Sequence, residues 1–175
     1  AIVRGAARDV RFADDGTPRT VVTSAGDFDA DIIVLAAGAW SRDMARRLGS
    51  PVLLEAERGY HIMLPKPPVM PQRFITFPDR KFAVLPHEDG LRVTTGVEYA
   101  KVDAPPDYRR IRAMMPYARE SIRDLDTTEQ SIWLGRRPTL PNSVPVIGRS
   151  PRHANVLLAF GHSHLGLTMG PATGQ

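Results

Sequence analysis

The segment Asp31-Ile-Ile-Val-Leu-Ala-Ala37, followed by Gly38-Ala39-Trp40, limits the fold more than any other stretch. A nearly unbroken apolar run describes a parallel strand buried on both faces, since polar alternation is lost when both sides are covered. Ser41 is placed to cap a helix over Arg42–Leu48, and Gly49 to end it. A strand, a small-residue loop and a helix are how a nucleotide-binding α/β sheet offers its carboxyl edge to a ligand. Small residues in that loop let a flat or phosphorylated group approach the backbone. Tight packing of the following helix accounts for them equally well.

Around this unit the pattern changes. Asp9–Phe12 and Thr20–Thr23 flank the hairpin turn Asp14-Asp15-Gly16, and Ala25-Gly26-Asp27 turns the chain toward Asp31. Val52–Leu64 reads as a long strand interrupted at Arg58-Gly59, and the four prolines of Pro65–Pro71 make a loop on an exposed edge. Phe74–Phe77, Lys81–Pro86 and Leu91–Glu98 alternate apolar and polar residues around the turn Glu88-Asp89-Gly90. They predict an antiparallel sheet with one buried face. Ile111, Met115, Ala118, Ile122 and Leu125 recur at helical spacing, so a helix is expected over Asp107–Asp126, kinked or restarted at Pro116. Glu129–Leu134 then forms a strand, Gly135–Pro151 a loop, and Asn155–Phe160 a last strand that turns at Gly161–His164 into a helix from Gly166.

Composition sets broad limits. With 42% hydrophobic and 24% charged residues, a 175-residue chain can bury a core. The longest apolar run, Ile32–Trp40, is far below the roughly 18 residues that cross a bilayer, so no transmembrane segment is expected. Absence of Cys removes disulfides, thiolate metal sites and cysteine nucleophiles, and fits a reducing compartment. The net charge of +4 comes from arginines scattered among nineteen acids, without the aromatic interleaving that stacks bases. No nucleic-acid partner is expected. Localisation is expected to be cytoplasmic or peripheral to the inner membrane.

Four loops collect the residues able to carry chemistry: Ala36–Trp40, Arg58–His61, Trp133–Pro138 and Gly161–Thr168. Glycine within a strand at Arg58-Gly59 suggests a bulge that re-aims Arg58 and Tyr60 toward a pocket, or an edge irregularity with Arg58 solvated. Arg136 and Arg137 would point to opposite faces of a strand, so at most one can hold a carboxylate through a bidentate pair. Gly161–Thr168 places a Gly-rich turn before a helix start, an anion site built from unpaired N–H groups. His162-Ser163-His164 could alternatively be a metal pair, but no third ligand stands at a helpful spacing. No Walker loop, nucleophile elbow, zincin motif or Gly-x-Gly-x-x-Gly turn occurs.

The order of these blocks is itself informative. Ala-Asp-Ile-Ile-Val-Leu-Ala-Ala-Gly-Ala-Trp-Ser precedes Arg-Gly-Tyr-His, then Trp-x-Gly-x-Arg-Pro, then Pro-Val-Ile-Gly, and finally Gly-His-x-His-Leu-Gly-Leu-Thr. This resembles the FAD-dependent amino-acid oxidoreductases (D-amino acid oxidase and dehydrogenase, glycine oxidase, sarcosine oxidase), and most of all the bacterial D-amino acid dehydrogenases. The resemblance extends over essentially the whole chain. It implies an α/β fold in which an FAD-binding doubly wound domain remnant joins an α+β, antiparallel-sheet substrate domain. Residues 1–50 and 136–175 would belong to the former and 51–135 to the latter.

The same resemblance implies roles. Ala37, Gly38 and Trp40 match the loop lying against FAD, and Gly161, Ser163, Leu165, Gly166, Leu167 and Thr168 the turn and helix start facing the flavin ring. Arg137 matches the arginine that pairs with the substrate carboxylate, and His164 a variable position close to the substrate. Arg58 and Gly59 match the Arg-Gly step that crosses between the domains, Arg58, Tyr60 and Phe82 are the substrate-pocket candidates, and D-amino acid oxidases use a tyrosine around Phe82 as a second carboxylate anchor. The implied reaction oxidises the C–N bond of a D-amino acid or small secondary amine to an imine, with no metal. The family's opening Gly-x-Gly-x-x-Gly turn is missing here. The chain is therefore read as the carboxyl-terminal portion of a longer flavoprotein, inactive alone. The alternative is a non-catalytic binding or structural module that keeps the substrate-domain fold.

Overall fold

The computed structural model describes residues 1–175. In chain order, the first strands are β1 (Ala7–Phe12), β2 (Pro18–Thr23), β3 (Gly26–Asp29) and β4 (Ile33–Leu35), followed by helix α1 (Ser41–Arg47). Next come β5 (Glu55–Leu64), β6 (Ile75–Phe77), β7 (Phe82–His87) and β8 (Gly90–Tyr99), then α2 (Arg109–Arg112) and α3 (Met115–Ser121). The last elements are β9 (Ser131–Thr139), β10 (Val146–Arg149), β11 (Val156–Phe160) and α4 (Gly166–Thr173). The chain divides into two units, Ala1–Ala56 with Arg137–Gln175, and Glu57–Arg136. It passes from one to the other within β5 and within β9.

The first unit holds an antiparallel sheet, β1-β2-β3, and a mixed sheet, β10-β11-β4. Strand β3 is not anticipated by the sequence, because all four of its residues are exposed and carry no burial alternation. The parallel pair is β4 with β11, in the register Ile33 to Val156 and Leu35 to Leu158. Ile33 and Leu35 join Val10, Ala45, Leu48, Leu54, Val156, Leu158 and Phe160 in one core. Val34, however, is 58% exposed, which corrects the expectation of a strand buried on both faces. One face of β4, carrying Ile33 and Leu35, packs with Ala45 and Leu48 of the α1 region, and the face carrying Val34 is open. Ser41 is also not the cap: Trp40 takes that position without a side-chain bond, and Ser41 begins the helix with its hydroxyl buried. Asp43 in the first turn and Arg46 and Arg47 in the last complement the helix dipole.

The second unit is a five-stranded sheet ordered β6-β7-β8-β5-β9, packed on α2 and α3. Alternation on β5, β7 and β8 sends Ile62, Leu64, Phe82, Val84, Leu91 and Val93 to one face, against Ile111 and Ala118. Each fully buried aliphatic side chain there contributes about 1.5–3 kcal/mol. The register of β5 on β8 slips between Gly59 and His61, where glycine signalled a bulge. The single helix expected over Asp107–Asp126 is two short ones, and Pro116 sits in the first turn of the second. Ile122 is already extended, yet it and Leu125 still reach the core.

Strand β9 corrects a second expectation. It carries on through Gly135-Arg136-Arg137-Pro138 to Thr139, where the sequence suggested a loop, and β10 lies within that same expected loop. Gly and Pro hid the strand signal, and β9 tolerates Pro138 because it is the edge of its sheet.

Candidate functional site

The parallel register of β4 and β11 brings the loops after both strands to one carboxyl edge, where open α/β sheets bind ligands. After β4, Gly38–Trp40 forms a single 3-10 turn closed by the Trp40 N–H donating to the Ala37 carbonyl at 3.1 Å. Gly38 has φ +56°, and a Cβ added to it would meet nothing within 4 Å. Tight packing of α1 is therefore not why glycine stands here; the left-handed backbone is. Ala37 and Trp40 are exposed beside it.

After β11 the chain turns on Gly161, at φ +89°, where an added Cβ would collide with the Leu140 side chain. Ser163 follows at φ +49°, and its N–H donates to the Pro138 carbonyl at 2.9 Å. Leu165 then caps α4 with no side-chain bond, and the first turn holds no acidic residue. The N–H groups of Gly166, Leu167 and Thr168 thus open an uncapped, positively polarised helix end. His162 Nε2 lies 3.0 Å from Thr173 Oγ1, which itself donates to the Met169 carbonyl. His164 is exposed on the turn. No three His, Cys, Asp or Glu side chains gather to hold a metal.

Strand β9 runs past this turn. Arg136 Nε donates to the Val102 carbonyl at 2.5 Å, which ties one arginine of the pair to the protein itself. Arg137 Nη1, by contrast, is buried with no hydrogen-bond partner, as are Thr139 Oγ1 and Ser163 Oγ. A buried donor left unmatched costs roughly 1–3 kcal/mol, more for a charged group. Three of them around Pro138 are suited to a ligand carrying acceptors, a carboxylate in the case of the guanidinium.

The residues expected near a pocket in the other unit are differently placed. Arg58 is wholly buried: Nε faces Glu98 Oε2 at 3.0 Å, and its terminal nitrogens donate to the carbonyls of Lys101, Ala104 and Pro105 and to the Tyr60 hydroxyl. Tyr60 donates in turn to Glu98 Oε2 at 2.5 Å and accepts from the Asp107 N–H. This corrects the picture of Arg58 and Tyr60 re-aimed toward a pocket, since their polar atoms are committed to holding the 101–107 loop. Phe82 is 4% exposed and stacks on Phe77 at 4.5 Å, so it is core rather than pocket lining. His61 stacks on Trp133 with ring centres 5.1 Å apart. Burial first, then the charges of Arg92 and His87, hold its pKa below the usual histidine range.

Sequence reasoning missed Thr139, because it was assigned to a loop. Its signal was two-residue spacing from Arg137, legible only once β9 is known to continue. Glu98 was also missed as the partner of Arg58, since strand pairing rather than proximity in sequence joins them.

The family model described as DAO, FAD dependent oxidoreductase, matches residues 1–175. D-amino-acid oxidase of Bradyrhizobium diazoefficiens is 35% identical over 159 residues, covering 89% of this chain and 38% of that protein. Glycine oxidase of Pseudomonas putida is 32% identical over 165 residues, covering 93% and 44%. The chain thus spans about two-fifths of the length of these curated relatives. Among solved structures, glycine oxidase from Geobacillus kaustophilus superposes with a TM-score of 0.81 at 21% identity, covering 97% of this chain and 46% of that one. L-Proline dehydrogenase from P. horikoshii does so at 0.75 and 20%, covering 97% and 47%. The fold is the mixed α/β fold of these flavoenzymes, and the chain belongs to the DAO family of FAD-dependent oxidoreductases.

Proposed function

We propose that this chain supplies the carboxylate anchor and the flavin-facing loops of an FAD-dependent oxidoreductase. The reaction oxidises the C–N bond of a D-amino acid or small secondary amine to an imine, which water then hydrolyses. The single observation that carries the reading is the buried, unpartnered Nη1 of Arg137 beside the β11–α4 turn. The relatives, D-amino-acid oxidase, glycine oxidase and D-amino acid dehydrogenase, are named for substrates that fit that carboxylate chemistry.

Bound FAD would supply the hydride acceptor for oxidation at the substrate α-carbon. The residues at the carboxyl edge fit such a group: the space beside Gly38 is open within 4 Å, and Ala37 and Trp40 are exposed next to it. The uncapped N–H groups of Gly166, Leu167 and Thr168, with the Ser163 hydroxyl, supply donors for its carbonyl edge. A positive helix end there would favour negative charge on the reduced ring. Arg137 donates to the substrate carboxylate and so fixes which hydrogen of the α-carbon is presented. The exposed His164 side chain would shape the rim of the substrate site. No helix is long and apolar enough to cross a membrane, and the chain is proposed to work in the cytoplasm or at the inner membrane's periphery.

Anaerobic mixing tests this in the FAD-loaded protein that contains the chain. D-amino acids, glycine, sarcosine and cyclic imino acids are added singly while the visible flavin absorbance is followed. Bleaching by at least one of these classes is expected. Full flavin occupancy with no bleaching by any of them would leave a binding or structural role and refute the oxidoreductase reading.

A further inference from the structure

We propose that the Thr139 hydroxyl is a second anchor for the substrate carboxylate, acting beside Arg137; this rests on the amino-acid oxidoreductase reading above. Alternation along β9 puts residues 137 and 139 on one face, with their Cα atoms roughly 6.5–7 Å apart. A carboxylate taking one oxygen to each side chain spans that separation, because the long arginine side chain supplies the reach. Both Thr139 Oγ1 and Arg137 Nη1 are buried and unmatched by any protein acceptor. The residue between them cannot compete for the same ligand. Pro138 has no N–H, and its carbonyl is taken by the Ser163 N–H at 2.9 Å.

Pro138 thus offers no donor between them, and the side chains of Arg137 and Thr139 supply two. The arginine contributes charge and a planar fork; the threonine contributes an O–H that donates to the oxygen the fork leaves less well served. One guanidinium alone lets a carboxylate pivot about the Arg axis. A second donor on the same face stops that rotation and fixes the direction in which the α-carbon leaves the anchor. Thr139 is thus a positioning and specificity residue for α-amino acids over amines.

The test uses the FAD-loaded protein with Thr139→Val, which removes the hydroxyl at nearly constant shape, and Thr139→Ser, which restores it. D-Alanine and its primary amide serve as substrates, and acetate as a non-reacting carboxylate whose affinity is read from its inhibition. Thr139→Val is expected to raise the KM for D-alanine and weaken acetate about tenfold, with kcat nearly unchanged and D-alaninamide unaffected. Thr139→Ser should recover most of the loss. The unfolding midpoint should not fall in Thr139→Val, because the hydroxyl has no protein partner to lose. A Thr139→Val variant that treats carboxylate and amide alike, whether both unchanged or both weakened, overturns the proposal. Arg137→Ala run in parallel separates the two readings. If it discriminates carboxylate from amide and Thr139→Val does not, only the second anchor falls; if neither discriminates, the carboxylate anchor itself is wrong.

Discussion

Arg58 and Arg137 are both arginines on strands of this chain, and their surroundings treat them in opposite ways. Around Arg58 both terminal nitrogens are answered, by three carbonyls and a phenol, and Nε lies against the Glu98 carboxylate at 3.0 Å. Around Arg137 a terminal nitrogen is buried with nothing to meet it, and Thr139 and Ser163 share that condition. A saturated network fixes a loop and leaves nothing over for a ligand. An unsaturated one leaves donors over for an incoming acceptor. Burial by itself is therefore a poor guide to function; the balance of donors and acceptors is the better one.

The largest effect expected from this contrast is on stability. Arg58→Ala leaves the Ala104 and Pro105 carbonyls without their donor and Glu98 without its cation, so it should cost about 3–5 kcal/mol in urea unfolding. A cost near that of an ordinary surface substitution would erase the distinction between the two arginines. At the other region, Gly161→Ala combines a left-handed φ with a collision against Leu140, for about 2–3 kcal/mol. Gly38→Ala meets the same kind of backbone strain with no collision, and should cost only about 1 kcal/mol. Equal losses at the two glycines would mean that packing against Leu140 does not define the turn.

The smallest effect is on pH dependence. Asp107 ends the segment that Arg58 and Tyr60 hold. The side-chain bond from Arg109 first, then the Arg109 N–H, lower its pKa from 3.8 to about 2. Because the folded state favours the ionised carboxylate, the stabilisation is complete above pH 3.8 and disappears as pH falls toward 2. Arg109→Gln should flatten the decline of the unfolding midpoint across that window. An unchanged slope would show that the exposed pair is screened by solvent.

The sequence revealed the strands whose apolar residues alternate and the turns built on glycine, because those signals are local. The β5 bulge at Gly59 and the helix restart at Pro116 are of this kind. What stayed hidden depended on neighbours in space. Val34 is apolar on its exposed face, and nothing in its own segment says that only one face of β4 is covered. Arg58 looked like a ligand residue until β8 brought Glu98 to it. Arg137 was distinguished from Arg136 only through resemblance; the bond from Arg136 to Val102 gives the distinction a physical basis.

The proposed carboxylate site rests on the unmatched donors clustered around Pro138, and Arg137→Ala tests it most directly. The measurement is kcat/KM for D-alanine and for D-alaninamide in the FAD-loaded protein, with urea unfolding of the same variant. The account predicts a loss of about a hundredfold for the carboxylate, with the amide and the unfolding free energy almost unchanged. Equal losses on both substrates, or a destabilisation matching that of Arg58→Ala, would contradict it.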